Sequence, residues 1–171
     1  MAIMSSDRNE NSDDPIEIER YSWPAATLDP VAKMRALAAG LPNAAIDEAV
    51  FDVPFDRLWS FIEDLEGNTP RFEGLVNRLR ILDRDGERIR LEARTPIGLS
   101  IEFDCVLRSG WCTMQSGSSQ IGMAAHPESP TQTRFIHFES SSVLGRLARP
   151  LFAWNIRQDF RRLRRLLPQT D

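Results

Sequence analysis

The segment IDEAVFDVPFDRLWSFIEDL, residues 46–65, passes from a strand pattern to a helix pattern at a single proline. In its first half, Ala49, Phe51 and Val53 occupy every second position, which is typical of a strand with one buried face. Pro54 suits the first position of a helix, where its missing N–H costs nothing. We therefore predict a strand followed directly by a short helix, because apolar residues then recur at helical spacing, at Phe55, Leu58, Trp59, Ile62 and Leu65.

Alternating apolar and charged residues downstream predict six more strands, joined as hairpins. Asp85-Gly86 is expected to form the tight turn of the first hairpin, because this dipeptide suits the positive backbone angles of a two-residue loop. A proline-rich loop around Pro127 and Pro130 is expected to contain His126 as a solvated residue. The predicted strands cover residues 78–81, 88–94, 101–108, 111–116, 120–125 and 131–140, after a short turn of helix at residues 70–76.

One long amphipathic helix ends the domain, and it is predicted over residues 143–167 with a kink or restart at Pro150. The simplest architecture that buries all these apolar faces is an α+β fold, in which a curved seven-stranded antiparallel sheet holds the long helix across its concave face. Packing of this kind tends to leave a cavity. The apolar face of the helix consists of Phe152, Ile156, Phe160, Leu163 and Leu167.

Two different segments precede this domain, which is predicted at residues 45–168. Residues 1–15 are polar and acidic, and they predict a disordered tail because they cannot bury enough apolar surface to offset the entropy of ordering. Residues 16–44 predict an N-terminal extension with a short helix that begins near Pro30 and ends near Gly40.

The last predicted strand places apolar residues on both of its faces. Phe135, His137 and Glu139 share one face, while Ile136 and Phe138 share the other. Because neighbouring strands present charged residues on that second face, we expect the apolar pair to be covered. The extension is one candidate cover and a second subunit is the other, so the protein is expected to be a monomer or a homodimer.

The composition argues against several classes of protein. A net charge of -4 over 171 residues, with Lys33 as the only lysine, gives no nucleic-acid footprint. Cys105 and Cys112 are too few for a disulfide framework and lack the spacing of zinc ligands, so both are expected to be reduced and buried. Without a signal peptide or an apolar stretch as long as a membrane span, the sequence predicts a cytoplasmic protein with no stable membrane insertion.

Several motifs along the domain recur together in one known superfamily. They are FDVPFDRLW at residues 51–59, Asp64-Leu65, Pro70, TRFIH at residues 133–137, and Asp159 and Leu163 in the final helix. In these motifs the chain resembles the START-related SRPBCC superfamily, in particular members labelled polyketide cyclase/dehydrase-like. The resemblance implies a helix-grip fold with a hydrophobic tunnel between the sheet and the C-terminal helix. It implies no single function, because the superfamily spans lipid carriers, aromatase/cyclases, hormone receptors and chaperone activators.

The resemblance also implies that His137 and Glu139 face the interior of the domain. There the histidine suits a general base near neutral pH, with Glu139 orienting it or acting as an acid. Anchoring a polar group of a ligand and a purely structural role are the alternatives. A metal site is not expected, because two ligands are insufficient and Cys105 is the only further candidate in a nearby strand. Asp159 is expected to form an ion pair, either with Arg162, one helical turn away, or with an arginine of the sheet, and contact with a ligand is the alternative.

Apolar side chains are candidates for the wall of the implied tunnel. Aromatic and methionine residues at these spacings would equally fill a solid core, so both interpretations stay open. The candidate ligand-binding residues are Phe51, Trp59, Leu91, Phe103, Cys105, Met114, Met123, Phe135, His137, Phe152 and Ile156.

Three functions are compatible with this pattern. The first is binding or carriage of a hydrophobic small molecule, such as a lipid or a polyketide-like compound, without a cofactor. The second is a cyclase or dehydratase that uses His137 and Glu139. The third is a protein-interaction module with a closed pocket, which binds its partner through the extension or through a sheet edge.

Overall fold

The computed structural model describes residues 27–143 and 145–167, which form one antiparallel sheet and four helices. The strands are β1 (Ala45–Phe51), β2 (Arg78–Asp85), β3 (Arg88–Arg94), β4 (Ser100–Arg108), β5 (Trp111–Ser116), β6 (Ser119–Ser129) and β7 (Gln132–Ser141). The helices are α1 (Pro30–Ala39), α2 (Phe55–Glu63), α3 (Thr69–Phe72) and α4 (Gly145–Leu166). The predicted acidic tail and residues 16–26 of the predicted extension lie outside the described residues.

The strands lie in the order β1-β7-β6-β5-β4-β3-β2, and every neighbouring pair is antiparallel. The first strand therefore pairs with the last, with Ala45 opposite Glu139 and Phe51 opposite Thr133. Helices α2 and α3 occupy the connection from β1 to β2. This arrangement confirms the predicted α+β helix-grip fold, with its curved seven-stranded sheet and long C-terminal helix.

One apolar core lies between the concave face of the sheet and the helices α2, α3 and α4. Alternate residues of the strands point into it, as shown by Leu91 on β3 and Phe103 on β4, while their chain neighbours are more exposed. The predicted apolar face of α4 is the face that packs on this core, with Phe152 half-buried and the others buried: Ile156, Phe160, Leu163 and Leu167.

Two details of the hairpins differ from the sequence prediction. Strand β2 ends at Asp85 and β3 begins at Arg88, so the turn consists of Gly86 and Glu87, one residue later than predicted. Gly86 takes the positive backbone angle that the turn needs, with φ of 58°.

The second difference concerns β6, which continues through the predicted proline-rich loop to Ser129. His126 is consequently a half-buried strand residue opposite Arg134 rather than a solvated loop residue. The strand tolerates Pro127 because the pairing with β7 shifts its register between Pro127 and Ser129.

Helix α4 runs without a break through Pro150, so the predicted restart there is wrong. The proline lies in the second turn, where its missing N–H removes a single hydrogen bond close to the start of the helix. Neither α4 nor any other helix among the described residues is long and apolar enough to cross a membrane.

Helix α1 covers the outer face of β6 and β7, so the extension provides the cover that Ile136 and Phe138 require. Gly122 on β6 allows the close approach, because a Cβ at this position would collide with the Phe138 ring and lie 2.6 Å from Met34 Sδ. The buried contacts join Val31, Met34 and Ala38 of α1 to Ala124, Ile136 and Phe138 of the sheet.

We expect Met34→Ala to lower the free energy of unfolding by about 2–5 kcal/mol, because it leaves a cavity between α1 and the sheet. Leu37→Ala is the matched control, since Leu37 lies on the same helix and is 41% exposed. Its effect should stay within about 0.5 kcal/mol. Urea denaturation of both variants measures the difference, and equal losses would contradict the packing of α1 on the sheet.

Candidate functional site

Five polar side chains are buried together between β7, α4 and the loop that follows α3. We call Glu73, His137, Glu139, Asn155 and Asp159 the buried polar cluster, and each of them is at most 8% exposed. Groups of this kind are rarely placed in an apolar core without hydrogen bonds or ion pairs, because removing them from water is costly. The cluster is therefore the candidate functional site.

The alternation of β7 directs two members of the cluster to the concave face. His137 and Glu139 are two residues apart and follow Phe135, which belongs to the apolar core. The prediction that this pair faces the interior is therefore correct in position. Two further carboxyl groups approach His137 from other parts of the chain. Glu73 lies in the loop after α3, and Asp159 lies on α4.

Asn155 connects the three carboxyl groups of the cluster. Its Nδ2 donates to Glu73 Oε1 at 2.8 Å, to Glu139 Oε1 at 2.9 Å and to Asp159 Oδ2 at 3.1 Å. An amide NH₂ has two protons, so these three acceptors share two donors. Asn155 and Asp159 are one helical turn apart, which places both on the same side of α4.

Asp159 has two further donors. The backbone N–H of Gly74 donates to Oδ1 at 3.1 Å, and Arg162 Nη1 donates to the same oxygen at 3.0 Å. The expected pair between Asp159 and Arg162 is thus present. Arg162 also donates to the Phe72 carbonyl oxygen at 3.1 Å. A Cβ at position 74 would lie 2.5 Å from Arg162 Nη1 and 2.8 Å from Asn155 Oδ1, so any other residue there would displace these two side chains.

His137 is enclosed by the cluster without a hydrogen bond. Its Nε2 lies 3.9 Å from Glu73 Oε2, and its Nδ1 lies 4.0 Å from Asp159 Oδ2. Both separations exceed hydrogen-bond length. Neither ring nitrogen has a hydrogen-bond partner within the part of the chain that the structure describes. A buried imidazole with two unsatisfied nitrogens is uncommon in a folded protein, and it marks this position as one that needs an explanation.

Burial and mutual proximity shift the pKa values of the cluster. Burial, followed by the nearby Glu73 and Glu139 carboxyls, raises the pKa of Asp159 from 3.8 to about 9, although Gly74 N–H and Arg162 oppose the shift. Burial and Glu73 also raise the pKa of Glu139 well above its usual value. The pKa of His137 is lowered by burial, with Glu73 opposing. The shared cause is a dry site with more acidic groups than positive charge to balance them.

The candidate tunnel residues form a packed core. Phe51, Phe135 and Phe160 illustrate this, because their ring centroids are 5.5–5.9 Å apart in edge or tilted contacts. Along these side chains the concave face is filled rather than open, and their role as a ligand-binding wall stays a prediction. Only Phe152 among the candidates is half-buried, while the others are buried: Phe51, Trp59, Leu91, Phe103, Cys105, Met114, Met123, Phe135, His137 and Ile156.

Two open cavities lie elsewhere on the molecule. One, of about 750 Å³, is a groove on the outer face of the sheet beside α1, and Leu37, Trp111 and Phe138 line part of it. The other, of about 820 Å³, lies where the end of α1 and the start of β1 meet the start of α4. No member of the buried polar cluster lines either cavity.

The two cysteines are free and buried, as expected, with their Sγ atoms 3.9 Å apart. They belong to β4 and β5 and are not part of the cluster. Sequence reasoning missed two cluster members, Glu73 and Asn155. Asn155 could have been found from the sequence, because it lies beside Ile156 on the predicted apolar face of the final helix and one helical turn before Asp159. Glu73 lies in a loop, where no periodicity indicates the direction of a side chain.

Proteins of low sequence identity share this fold. An aromatase/cyclase, Zhui, from a Streptomyces species superposes with a TM-score of 0.58 at 11% identity, and the match covers 73% of this chain and 96% of the Zhui chain. A START superfamily protein from Mycobacterium smegmatis gives a TM-score of 0.53 at 14% identity, and the match covers 70% of this chain and 93% of that protein. Truncated norcoclaurine synthase from Thalictrum flavum gives a TM-score of 0.53 at 12% identity, and the match covers 74% of this chain and 94% of the synthase chain.

These similarities confirm the helix-grip fold that the resemblance in sequence implied, a fold that the START superfamily protein and the aromatase/cyclase share. At such identities the likeness shows the fold alone, and function has to be argued from the side chains. No family model matches the sequence, and no curated protein matches it either.

We expect Asn155→Leu to lower the free energy of unfolding by roughly 1–3 kcal/mol, because three buried carboxyl groups lose their shared donor. Arg157→Leu places the same residue on the exposed side of α4 and is the matched control, with an expected change within about 0.5 kcal/mol. Urea denaturation at neutral pH compares the two. A loss no larger in Asn155→Leu than in the control would show that the amide does not hold the cluster together.

Proposed function

We propose that the protein binds a hydrophobic small molecule between the concave face of the sheet and α4. The observation that supports this is a set of exposed apolar side chains at one end of the sheet. We call them the apolar rim: Leu75, Ile97, Leu99, Val143 and Leu147, which are 37%, 82%, 57%, 78% and 93% exposed.

The topology places the apolar rim at one end of the molecule. Strands β3 and β7 run in the same direction, because four antiparallel steps separate them in the sheet. The β3–β4 hairpin with Ile97 and Leu99 therefore lies at the same end as the β7–α4 junction with Val143. Leu75 precedes β2, which begins at this end because Arg78 lies opposite Arg94. Several exposed apolar residues grouped at one end are typical of a binding site.

Helix α4 is packed unequally along its length. Its C-terminal half buries Ile156, Phe160 and Leu163, whereas Leu147 and Leu151 in its N-terminal half are 93% and 54% exposed. The N-terminal half thus has few contacts to lose when the core opens. A ligand that enters from the apolar rim would displace this half of the helix and contact the apolar wall behind it.

The buried polar cluster would complete such a site as a polar anchor. Pockets for apolar ligands usually combine an apolar wall with a few polar groups that fix orientation. A ligand with a hydroxyl or carbonyl group at one end would reach His137, whose ring nitrogens make no hydrogen bond to any of the described residues. Lipids with small polar heads and polyketide-like ring systems both have this character.

Carriage is favoured over catalysis by the position of the predicted acid/base pair. His137 and Glu139 are buried in the cluster and line neither of the two open cavities. A cyclase or dehydratase that uses these two residues therefore remains the second hypothesis, and an interaction module remains the third. The activities named for the aromatase/cyclase and for the norcoclaurine synthase belong to those two proteins, and they are not evidence for catalysis by this chain.

Dye binding tests the proposal. We expect 1-anilinonaphthalene-8-sulfonate to bind with one saturable site and to be displaced by palmitate. The double variant Ile97→Ser/Leu147→Ser should weaken palmitate binding about tenfold, which corresponds to about 1.4 kcal/mol, because the ligand loses apolar contacts at the rim. Fluorescence titration gives the affinities, and native mass spectrometry gives the stoichiometry.

Val50→Ser is the control for this experiment. Val50 is 42% exposed on β1 but points to the outer face near Arg134, at the opposite end of the sheet. It should leave palmitate binding unchanged. Absence of saturable binding in the unmodified protein, or equal weakening in both variants, would contradict the proposal.

A further inference from the structure

We propose that Glu73, His137, Glu139 and Asp159 form a binding site for a divalent transition-metal ion that holds α4 and the loop after α3 against the sheet. One potential ligand atom from each of these residues lies within 4.8 Å of all the others. This inference does not rest on the proposed small-molecule ligand, because it concerns groups that are already assembled in the closed protein, and an ion bound there would take the place of that ligand's polar contact with His137.

The spacing of the ligand atoms is somewhat wider than an ion between them requires. Bonds from zinc to histidine nitrogen and carboxylate oxygen are about 2.0–2.2 Å long, so neighbouring ligand atoms of a four-coordinate tetrahedral ion are about 3.3–3.6 Å apart. Glu73 Oε2 lies 3.9 Å from His137 Nε2, whereas Asp159 Oδ2 lies 4.0 Å from the other ring nitrogen, Nδ1, so only one of these contacts joins two ligands of the same ion. Ligand atoms that are 4.8 Å apart would each have to move inward by about 0.7 Å.

The unpaired histidine is the second observation that indicates a ligand. Its side chain is 1% exposed, and both nitrogens lie among carboxylate oxygens without a hydrogen bond. A metal ion would satisfy one nitrogen, and the other N–H would then donate to a neighbouring carboxylate. This is the usual arrangement of histidine ligands in metalloproteins.

The charge balance of the site favours a cation. Three carboxyl groups are buried in the cluster, and Arg162 is the only cationic side chain that hydrogen-bonds to them among the described residues. Its guanidinium is 39% exposed and contacts one of the three carboxyls. Asn155 adds donors but no charge. A divalent ion would supply the missing positive charge at the point where the carboxyl oxygens converge.

The ligand set selects the type of metal. Mg²⁺ and Ca²⁺ prefer oxygen ligands alone, whereas an imidazole combined with carboxylates suits Zn²⁺ or Mn²⁺. Neither Cys105 nor Cys112 belongs to the group, which excludes a thiolate site. With four buried protein ligands, none of which lines either of the two open cavities, the site has the closed character of a structural metal centre.

The experiment uses the full chain without an affinity tag, after treatment with EDTA and dialysis. We expect it to bind one equivalent of Zn²⁺ or Mn²⁺, measured by plasma mass spectrometry, and to ignore Mg²⁺. Because the ligands come from three separate elements, saturating Zn²⁺ should raise Tm by about 5 °C or more. No stoichiometric metal and an unchanged Tm would overturn the proposal.

Variants assign the ion to the cluster. His137→Gln and Glu73→Gln should weaken Zn²⁺ binding at least tenfold, whereas His126→Gln should bind as the unmodified protein does. His126 is the appropriate control because the chain contains two histidines. Equal binding by all three variants, or loss of binding only in His126→Gln, would overturn the proposal.

A measurement on the unmodified protein covers the case in which the cluster variants fail to fold. In protein labelled with ¹⁵N at histidine, Zn²⁺ should shift the imidazole nitrogen resonances of His137 and leave those of His126 in place. The folded His126→Gln variant assigns the two sets of resonances. Shifts confined to His126, or absent from both histidines, would overturn the proposal.

Discussion

The contact between Asn155 and three buried carboxyl groups is the interaction on which the rest of the structure depends. Its amide joins Glu73 from the loop after α3, Glu139 from β7 and Asp159 from its own helix. That donor holds three carboxyl groups together at the seam where the helix meets the sheet, where burial and mutual proximity raise the pKa values of Glu139 and Asp159. The position of α4, and with it the closed state of the core, therefore rests on a polar contact as well as on apolar packing.

The sheet is covered on both of its faces at β6 and β7. Its concave face holds the main core, while α1 covers the outer face of β6 and β7 through Met34 and its neighbours. Gly122 makes this second layer possible, because only a residue without a side chain leaves room for Met34 and Phe138. Burial on two faces makes β7 the most constrained strand, and β7 is also the strand that positions His137 and Glu139.

The closed core and the exposed apolar rim are both consistent with the proposed uptake of an apolar molecule. The C-terminal half of α4 is buried and Asp159 anchors it, so in that proposal it would stay in place while the N-terminal half moves. Because the C-terminal half of α4 is firmly packed and its N-terminal half has few buried contacts, the molecule would open at the N-terminal half without losing its fold. A cation in the buried polar cluster would strengthen the rigid end and leave the opposite end unchanged.

Local patterns in the sequence determined the elements of this protein. Alternation along residues 46–53 and the helical spacing after Pro54 were sufficient for β1 and α2, because each depends on which face of one element is apolar. The same alternation placed His137 and Glu139 on one face of β7, and the resemblance implied that this face looks inward. The sequence prediction was wrong by one residue at Gly86, wrong about a solvated loop at His126 and wrong about a restart at Pro150, because strand pairing and helix continuity overrode the local preference for a turn or a break.

Only the tertiary structure decided what surrounds His137. Glu73 and Asp159 are 64 residues before it and 22 residues after it in the chain, and the path of α3 and α4 over the sheet brings both within 4.0 Å. The sequence offered two ligands on one strand, too few for a metal, because the other two come from a loop and from a helix. Whether the apolar wall encloses a tunnel or a solid core was also open in the sequence, since periodicity records which face is buried but not how closely opposing faces pack.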